Sequence, residues 1–297
     1  MPVSKVAVIG AGTMGSGIAQ VSAQVGWETR LYDTVSSALE DGRNRIEDFW
    51  DRGIAKGKTT IEQKNSWSKN LSYSVDLTEA VSDADLVVEA VPERKDLKIA
   101  IFKELQALAP SHSILATNTS GLKISEIAAA TECPERVIGM HFFNPVPLMP
   151  LLEIVCHDGV SEMALGVAND VAEAMGKTSI VVKDVPGFAT SRLGVVLGNE
   201  AIRMLEEGVA SACDIDAAMR LGYGHPMGPL ELSDLVGLDV RKDILDSLVE
   251  AFGDDSYKPR PLLERLVASG ELGKKSGLGI YNWESGERNE RADLPLE

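Results

Sequence analysis

The 297-residue sequence has few cysteines, few aromatic residues and little positive charge. Its three cysteines, Cys133, Cys156 and Cys213, are widely separated, and none belongs to a CxxC pair. This excludes a disulfide framework and favours a reducing compartment. Lys and Arg total 29 against 45 Asp and Glu, a net charge of −16. Because that charge repels phosphate backbones and anionic lipid headgroups, a nucleic-acid or membrane partner is disfavoured.

The sequence also lacks an apolar run long enough for a membrane span. Its most apolar stretch, residues 146–155, is interrupted by Pro147 and Pro150 and contains Glu153. A span needs roughly 20 apolar residues. An apolar run at residues 6–9 leaves no room for a signal peptide before it. We therefore expect a soluble, cytoplasmic protein, and no metal site is predicted.

What the sequence does contain is an alternation of short β-branched runs and longer helical patterns. This alternation is typical of βαβ units. Several runs are apolar without alternating, as in strands that are covered on both faces of a mostly parallel sheet. The pattern therefore predicts a doubly wound α/β sheet domain, with helices over the polar stretch 36–70. The predicted strands are 5–10, 28–33, 85–91, 113–117, 136–141, 151–155 and 178–182.

The strand pattern stops at Asp184-Val-Pro-Gly187, where proline and glycine interrupt the chain. We place the domain boundary here, between residues 1–183 and residues 184–297. The remainder is helical in pattern and predicts a small C-terminal all-α domain. Its predicted helices are 189–207, 214–221, 230–252 and 262–269.

The first predicted strand leads into a glycine-rich turn with the sequence Gly10-Ala-Gly12-Thr13-Met14-Gly15, followed by a helical pattern. This is the context in which a GxGxxG motif binds a dinucleotide in a Rossmann-type fold. Gly10 permits the tight turn, Gly12 lets the pyrophosphate approach the backbone, and Gly15 lets the helix pack closely. Asp33, which ends the next strand, would accept hydrogen bonds from ribose hydroxyls and repel a 2′-phosphate, so NAD is preferred to NADP. Alternatively, the glycines form an ordinary turn and Asp33 caps the next helix.

A second set of polar residues follows, with Asn118-Thr-Ser120, then His141-Phe-Phe-Asn144, then Glu153. Here the sequence resembles the L-3-hydroxyacyl-CoA dehydrogenase family, including the bacterial 3-hydroxybutyryl-CoA dehydrogenases. The resemblance extends over nearly the whole chain. Its further motifs are Val87-Val-Glu-Ala-Val-Pro-Glu93, Asp184-Val-Pro-Gly-Phe188, His225-Pro-Met-Gly-Pro229 and Gly273-Lys-Lys-Ser-Gly277.

The residues themselves suit the oxidation of a secondary alcohol. An imidazole can take the hydroxyl proton near neutral pH, which makes His141 the candidate general base. Glu153 would fix its tautomer and stabilise the imidazolium. Ser120 can hydrogen-bond the substrate oxygen, and Asn144 can bind near the nicotinamide ribose or carboxamide. The alternative is a core histidine with satisfied hydrogen bonds and a carboxylate that pairs with an unrelated donor.

The resemblance also implies further contacts. Glu93 and Lys98 would border the cofactor, and Lys275 would reach its diphosphate or ribose. Lys56 would contact the CoA nucleotide. Each of these charged side chains could instead be a solvated surface group. The family further implies a homodimer through the helical domain, where an apolar helix face with Val195, Leu197, Ile202 and Leu205 could pack between subunits.

Two positions depart from the family pattern. Phe49 stands where the family has a serine that contacts CoA, and Ser191 stands where the motif Pro-Gly-Phe-x-x-Asn-Arg has a substrate-binding asparagine. The leading hypothesis is therefore NAD-dependent oxidation of a short L-3-hydroxyacyl-CoA. One alternative is a dehydrogenase of a free 3-hydroxy acid or related alcohol, such as a sugar acid or carnitine. Another is a non-catalytic NAD-binding protein.

Overall fold

The structure is a computed structural model that describes residues 2–294. The chain divides into two units, with the division between Val185 and Pro186. The first unit is built on one sheet and the second is helical. Within residues 2–294, no helix combines the length and the apolar character needed to cross a membrane.

The sheet of the first unit has eight strands in the order β3-β2-β1-β4-β5-β6-β7-β8. Every neighbouring pair is parallel except β6 and β7, which are antiparallel. β-branched and aliphatic side chains of the central strands are fully buried, as the uninterrupted apolar runs predicted. The strands are β1 Lys5–Ile9, β2 Glu28–Tyr32, β3 Leu71–Ser74, β4 Leu86–Glu89, β5 Ile114–Thr117, β6 Val137–Phe142, β7 Leu151–Cys156 and β8 Thr178–Lys183.

Among the described residues, seven α-helices connect these strands. The first begins directly after the glycine-rich turn and ends at Gly26, whose φ of +103° is a left-handed conformation that glycine adopts readily. The third begins at a capping box formed by Thr60 and Gln63. The helices are α1 Thr13–Val25, α2 Ser36–Ala55, α3 Ile61–Lys69, α4 Leu77–Val81, α5 Lys95–Leu108, α6 Ile124–Ala128 and α7 Glu162–Ala174.

Strand β3 was missed by the sequence analysis, which predicted no strand between residues 33 and 85. The segment reads Leu-Ser-Tyr-Ser, and of these four residues only Ser74 is buried. It lies at the edge of the sheet and pairs only with β2. A half-exposed edge strand needs no apolar run, so its pairing could not be read from hydrophobic periodicity.

The second unit packs its helices around a separate apolar core that includes Leu230, Leu245 and Leu266. Its helices are α8 Thr190–Glu206, α9 Ala212–Ala217, α10 Pro229–Val236, α11 Leu238–Phe252 and α12 Pro261–Ala268. The prediction of a single helix over 230–252 was wrong, because the chain breaks at Gly237, which has a φ of +109°. The suggested intersubunit face on α8 is contradicted at three of its four residues, since Val195, Ile202 and Leu205 are buried in the core of the unit. Leu197 is half-buried.

Candidate active site

The glycine-rich turn between β1 and α1 leaves room for a ligand at one of its three glycines. A Cβ on Gly10, where φ is +105°, would lie 2.7 Å from the carbonyl oxygen of Ala90. A Cβ on Gly15 would lie 1.7 Å from the carbonyl oxygen of Gly10. A Cβ on Gly12 would meet no atom of the described residues within 4 Å. Gly10 and Gly15 are therefore required by the fold, whereas Gly12 borders open space.

The Asp33 carboxylate follows β2 and is oriented by two backbone groups. The N–H of Ala11 donates to Oδ2 at 2.8 Å, and the N–H of Val35 donates to Oδ1 at 3.0 Å. Each carboxylate oxygen has a second acceptor position, so Asp33 can still accept two ribose hydroxyls. Asp33 does not cap α2, because the N-cap residue of that helix is Val35.

A cavity of about 630 Å³ extends over the turn and the end of β2. This volume lies within the usual range for small-molecule sites, roughly 300–1,000 Å³. Arg45 of α2 also lines it and donates from Nη2 to the carbonyl oxygen of Ala11 at 2.7 Å. Arg45 was missed by the sequence analysis because it lies in no motif. The predicted cofactor residues in the cavity wall are Gly10, Gly12, Thr13, Met14 and Asp33.

His141 and Glu153 form a hydrogen-bonded pair across the antiparallel strands β6 and β7. They are direct cross-strand neighbours, so their side chains leave the sheet on the same face. Nδ1 of His141 lies 2.7 Å from Oε2 of Glu153, and the Glu153 side chain is fully buried. An ionised carboxylate can only accept, so Nδ1 carries the proton in the neutral ring and Nε2 has the lone pair. This is the arrangement that a general base requires.

Ser120 follows β5 at the same end of the sheet as His141, the penultimate residue of β6, because these neighbouring strands are parallel. Its N–H donates to Oε1 of Glu93 at 2.9 Å, and its hydroxyl lies 3.3 Å from the same oxygen. Oε2 of Glu93 lies 3.4 Å from Nζ of Lys98. Glu93 thus links the serine to a lysine on α5.

Lys98 is fully buried and is not a solvated surface charge. Its Nζ donates to Oε1 of Glu89 at 2.7 Å, and Glu89 is also fully buried. The hydroxyl of Thr117 donates to the other Glu89 oxygen at 2.6 Å. Glu89 was missed as a site residue, although a glutamate that ends a strand of otherwise apolar residues is a usable signal, because such a charge needs a partner. The ion pair with Glu89 holds the Lys98 ammonium in place, and Lys98 in turn positions Glu93.

Two further cavities lie along α1 and α2. One, of about 190 Å³, is lined by Asn144, Thr13 and Arg45 and also by Gln20, whose buried Nε2 has no partner within residues 2–294. The other, of about 470 Å³, is lined by Lys56 together with Phe49, Arg52 and Lys58. The two share Phe49, Arg52, Pro145 and Pro147 as wall residues. The smaller one also shares Thr13 and Arg45 with the cavity over the glycine turn.

The two remaining predicted site residues belong to the second unit. Ser191 lies in the first turn of α8. Nζ of Lys275 donates to both carboxylate oxygens of Asp239, at 2.6 and 2.7 Å.

Comparison with known proteins assigns the chain to a family. A model described as 3-hydroxyacyl-CoA dehydrogenase, NAD binding domain, matches residues 5–185, and one described as the C-terminal domain of the same family matches residues 187–283. The chain belongs to the 3-hydroxyacyl-CoA dehydrogenase family. The predicted enzyme class, Rossmann-type fold and NAD cofactor are thereby confirmed.

Relatives in this family match over nearly their full lengths. The chain is 46% identical to the probable 3-hydroxybutyryl-CoA dehydrogenase of Bacillus subtilis, over 96% of this chain and 99% of that protein. It is 43% identical to the 3-hydroxybutyryl-CoA dehydrogenase of Mycobacterium tuberculosis, over 95% and 99%. The crystal structure of (S)-3-hydroxybutyryl-CoA dehydrogenase PaaH1 from Ralstonia eutropha superposes with a TM-score of 0.92 at 38% identity, over 95% and 99%.

Proposed function

We propose that this 3-hydroxyacyl-CoA dehydrogenase family member oxidises a short L-3-hydroxyacyl-CoA, such as 3-hydroxybutyryl-CoA, reversibly to the 3-ketoacyl-CoA. The observation that carries the proposal is the His141–Glu153 pair, with its 2.7 Å hydrogen bond and fully buried carboxylate. Relatives named for 3-hydroxybutyryl-CoA support this choice of acyl chain. The family resemblance supplies the L configuration.

His141 acts as the general base in this proposal. Its Nε2 takes the proton of the substrate hydroxyl, while Nδ1–H remains donated to Glu153. The buried carboxylate stabilises the imidazolium that forms, and in the reverse direction the imidazolium returns the proton. Ser120 hydrogen-bonds the substrate oxygen. NAD, when bound, supplies the hydride acceptor.

The chain holds the cofactor with its glycine turn and Asp33. Gly12 leaves space for the diphosphate at the start of α1, where backbone N–H groups and the helix dipole favour an anion. Asp33 accepts the ribose hydroxyls, which favours NAD over NADP. Asn144 binds near the nicotinamide end. Glu93, fixed by Lys98, borders the same site.

The 470 Å³ cavity offers a place for the CoA nucleotide. Three cationic residues, Arg52, Lys56 and Lys58, line it in a chain with a net charge of −16. Cations concentrated on one wall of an acidic protein attract a polyphosphate locally. Phe49 takes the position of the family's serine here and offers an aromatic face for the adenine in place of a hydroxyl. We therefore favour CoA esters over free acids.

The second unit completes the proposal. Ser191 contacts the acyl portion of the substrate with one hydroxyl, where the family has an amide. Lys275 is proposed to bind the cofactor, for which it must leave or share Asp239. The protein is a cytoplasmic homodimer in this proposal. Exposed apolar side chains of the second unit, such as Leu193 and Leu221, supply area for a subunit contact.

The test is the initial rate of NADH formation with 3-hydroxybutyryl-CoA and with free 3-hydroxybutyrate, each with NAD and with NADP. We expect turnover with the CoA ester and NAD. His141→Asn should lower kcat roughly 10²-fold or more. The control is His112→Asn, because the His112 side chain is 46% exposed and its ion-pair partner is Asp85, outside the candidate site.

Each alternative gives a different result. A higher rate with free 3-hydroxybutyrate than with the CoA ester would identify the substrate as a free 3-hydroxy acid or a related alcohol. Tight NADH binding without turnover of any ester would favour a non-catalytic NAD-binding protein. Equal rates for His141→Asn and the control would remove His141 as the base.

A further inference from the structure

Arg45, on α2, lies beside the glycine-rich turn and is oriented by two uncharged groups. Its Nη2 donates to the carbonyl oxygen of Ala11 at 2.7 Å, and its Nε lies 3.4 Å from Oγ of Ser16. A guanidinium has five N–H donors, so at least three remain for other acceptors. Arg45 is therefore fixed near the start of α1 while most of its donors stay unused by these two contacts.

A close approach of α2 to the turn brings the guanidinium to this place. Gly42 precedes Arg45 by three residues, which is the spacing of one helix face. A Cβ on Gly42 would lie 3.2 Å from the carbonyl oxygen of Ala11 and 3.3 Å from Cδ2 of Leu31. The glycine thus lets α2 pack against the same peptide group to which Arg45 donates.

Arg45 forms no ion pair with another residue in the range 2–294, although the chain is strongly acidic. Asp48, three residues further along α2, lines the 190 Å³ cavity together with Arg45. Asp48 is absent from the wall of the 630 Å³ cavity, which Arg45 also lines. The charge of Arg45 is therefore best placed to attract an anion in the larger cavity.

The wall of the 630 Å³ cavity carries one charged residue of each sign. Among the described residues that form it, Asp33 is the only Asp or Glu and Arg45 is the only Lys or Arg. Asp33 suits the uncharged hydroxyls of a ribose and would repel a phosphate. Arg45 contacts the peptide that precedes Gly12, where the turn borders open space. This separation of charge matches a nucleotide whose ribose is neutral and whose diphosphate is anionic.

We propose that Arg45 binds the diphosphate of NAD from α2, in addition to the backbone N–H groups at the start of α1. The planar guanidinium can donate two parallel hydrogen bonds to phosphate oxygens. Its positive charge offsets locally the repulsion that a chain with a net charge of −16 exerts on an anion. This inference rests on the proposed function, which places the diphosphate at Gly12.

The experiment measures the dissociation constant of NADH by fluorescence titration, and those of ADP-ribose and adenosine by displacement of NADH. ADP-ribose keeps the diphosphate, whereas adenosine lacks it. Arg45→Leu should weaken the binding of NADH and of ADP-ribose by the same factor, roughly tenfold or more, and should leave adenosine unaffected. Because salt screens the interaction, the NADH affinity of the wild type should fall more steeply with ionic strength than that of Arg45→Leu.

Arg43→Leu is the matched control, because it removes the same charge from the same helix two residues earlier. The Arg43 guanidinium carbon lies 4.4 Å from the centre of the Tyr73 ring, and the residue lines a different cavity. All three affinities should stay near those of the wild type. Arg45→Lys, which keeps the charge but not the planar fork, should recover part of the lost affinity. If Arg45→Leu does not fold, Arg45→Gln removes the charge and keeps a polar side chain.

Three results would overturn the inference. The first is an NADH affinity that Arg45→Leu or Arg45→Gln does not change. The second is an equal loss of affinity for adenosine, because Arg45 would then shape the cavity and not contact the diphosphate. The third is an equal loss in Arg43→Leu, which would reduce the effect to the net charge of the protein.

Gly12→Ala in the same titration separates this inference from the proposed function. If Gly12→Ala weakens NADH binding and Arg45→Leu does not, only the role of Arg45 fails. If neither variant weakens it, the proposed place of the diphosphate at the glycine-rich turn fails as well.

Discussion

At the scale of single residues, the proposed chemistry depends on Glu153, which is hydrogen-bonded to the His141 ring. Glu153 is fully buried and its Oε2 lies 2.7 Å from Nδ1, so in the proposed mechanism it acts on the substrate through the histidine. Glutamine keeps the size of the side chain and an acceptor oxygen but carries no charge to stabilise an imidazolium. We expect Glu153→Gln to lower kcat roughly 10²- to 10⁴-fold, with little change in the KM for NAD.

The measurement is the steady-state rate together with NADH binding by fluorescence and the melting temperature. Glu153→Asp, which restores the charge at a longer distance, should recover part of kcat. If Glu153 had only a structural role, Glu153→Gln would lower the melting temperature and would not lower kcat selectively over the KM for NAD.

At the same scale, some neighbouring residues of the candidate site can be anticipated from the sequence and others cannot. His141, Glu153 and Ser120 could be predicted because each is a polar residue in a recognisable pattern, and β-sheet pairing brings the first two together. Arg45 could not, because it lies in no motif. Its position in the cavity wall is set by the packing of α2 against the glycine turn.

At the scale of one element, two glycines of the glycine-rich turn have different roles. Gly15 is needed for folding, and Gly12 is proposed to serve cofactor binding. A Cβ on Gly15 would overlap the carbonyl oxygen of Gly10 at 1.7 Å, whereas one on Gly12 would meet no described atom within 4 Å. Gly12 also has a φ of −66°, which alanine adopts without strain. We expect Gly15→Ala to destabilise the protein by about 2 kcal/mol or more. Gly12→Ala should melt like the wild type but bind NADH at least about tenfold more weakly, because the methyl group occupies the approach to the backbone.

Thermal melting and NADH titration of the two variants check this. Normal NADH affinity in Gly12→Ala would mean that the diphosphate does not approach the turn there. A wild-type melting temperature for Gly15→Ala would mean that α1 can shift away from the turn.

The sequence predicted a helix or strand well where a single apolar pattern determined it. It predicted poorly where the local backbone conformation determined the element boundary. The central strands are buried on both faces, so their apolar runs identified them. Helices α10 and α11 share an apolar period, and only the left-handed conformation of Gly237 separates them. A glycine in such a pattern is compatible with a continuous helix, so the sequence alone could not place this break.

At the scale of the whole molecule, net charge describes the surface but not the sites. A charge of −16 predicted a chain that repels polyanions at long range. The structure nevertheless concentrates Arg52, Lys56 and Lys58 around one cavity. Composition could not predict this, because the three residues are brought to the same wall by α2 and the segment that follows it.

Charge also couples the stability of the molecule to pH. Asp83, in the segment before β4, forms hydrogen-bonded ion pairs with Arg30 of β2 and with Lys5 of β1, the latter at 2.6 Å. The hydrogen bond from Arg30 is the main cause that lowers the pKa of Asp83. Because the folded state lowers this pKa, the stabilisation is present above the unfolded value of about 3.9 and is lost as the pH falls through the folded value.

Asp83→Asn should therefore lower the melting temperature at pH 7, and its difference from the wild type should shrink as the pH falls below about 4. Calorimetry over this pH range measures the effect. Asp96→Asn is the control: its carboxylate pairs with Arg94 two residues away, both side chains are about 70% exposed, and a surface pair of this kind contributes little. If Asp83→Asn were as stable as the wild type at pH 7, or if its deficit persisted unchanged at low pH, the ion pairs with β1 and β2 would not stabilise this end of the sheet.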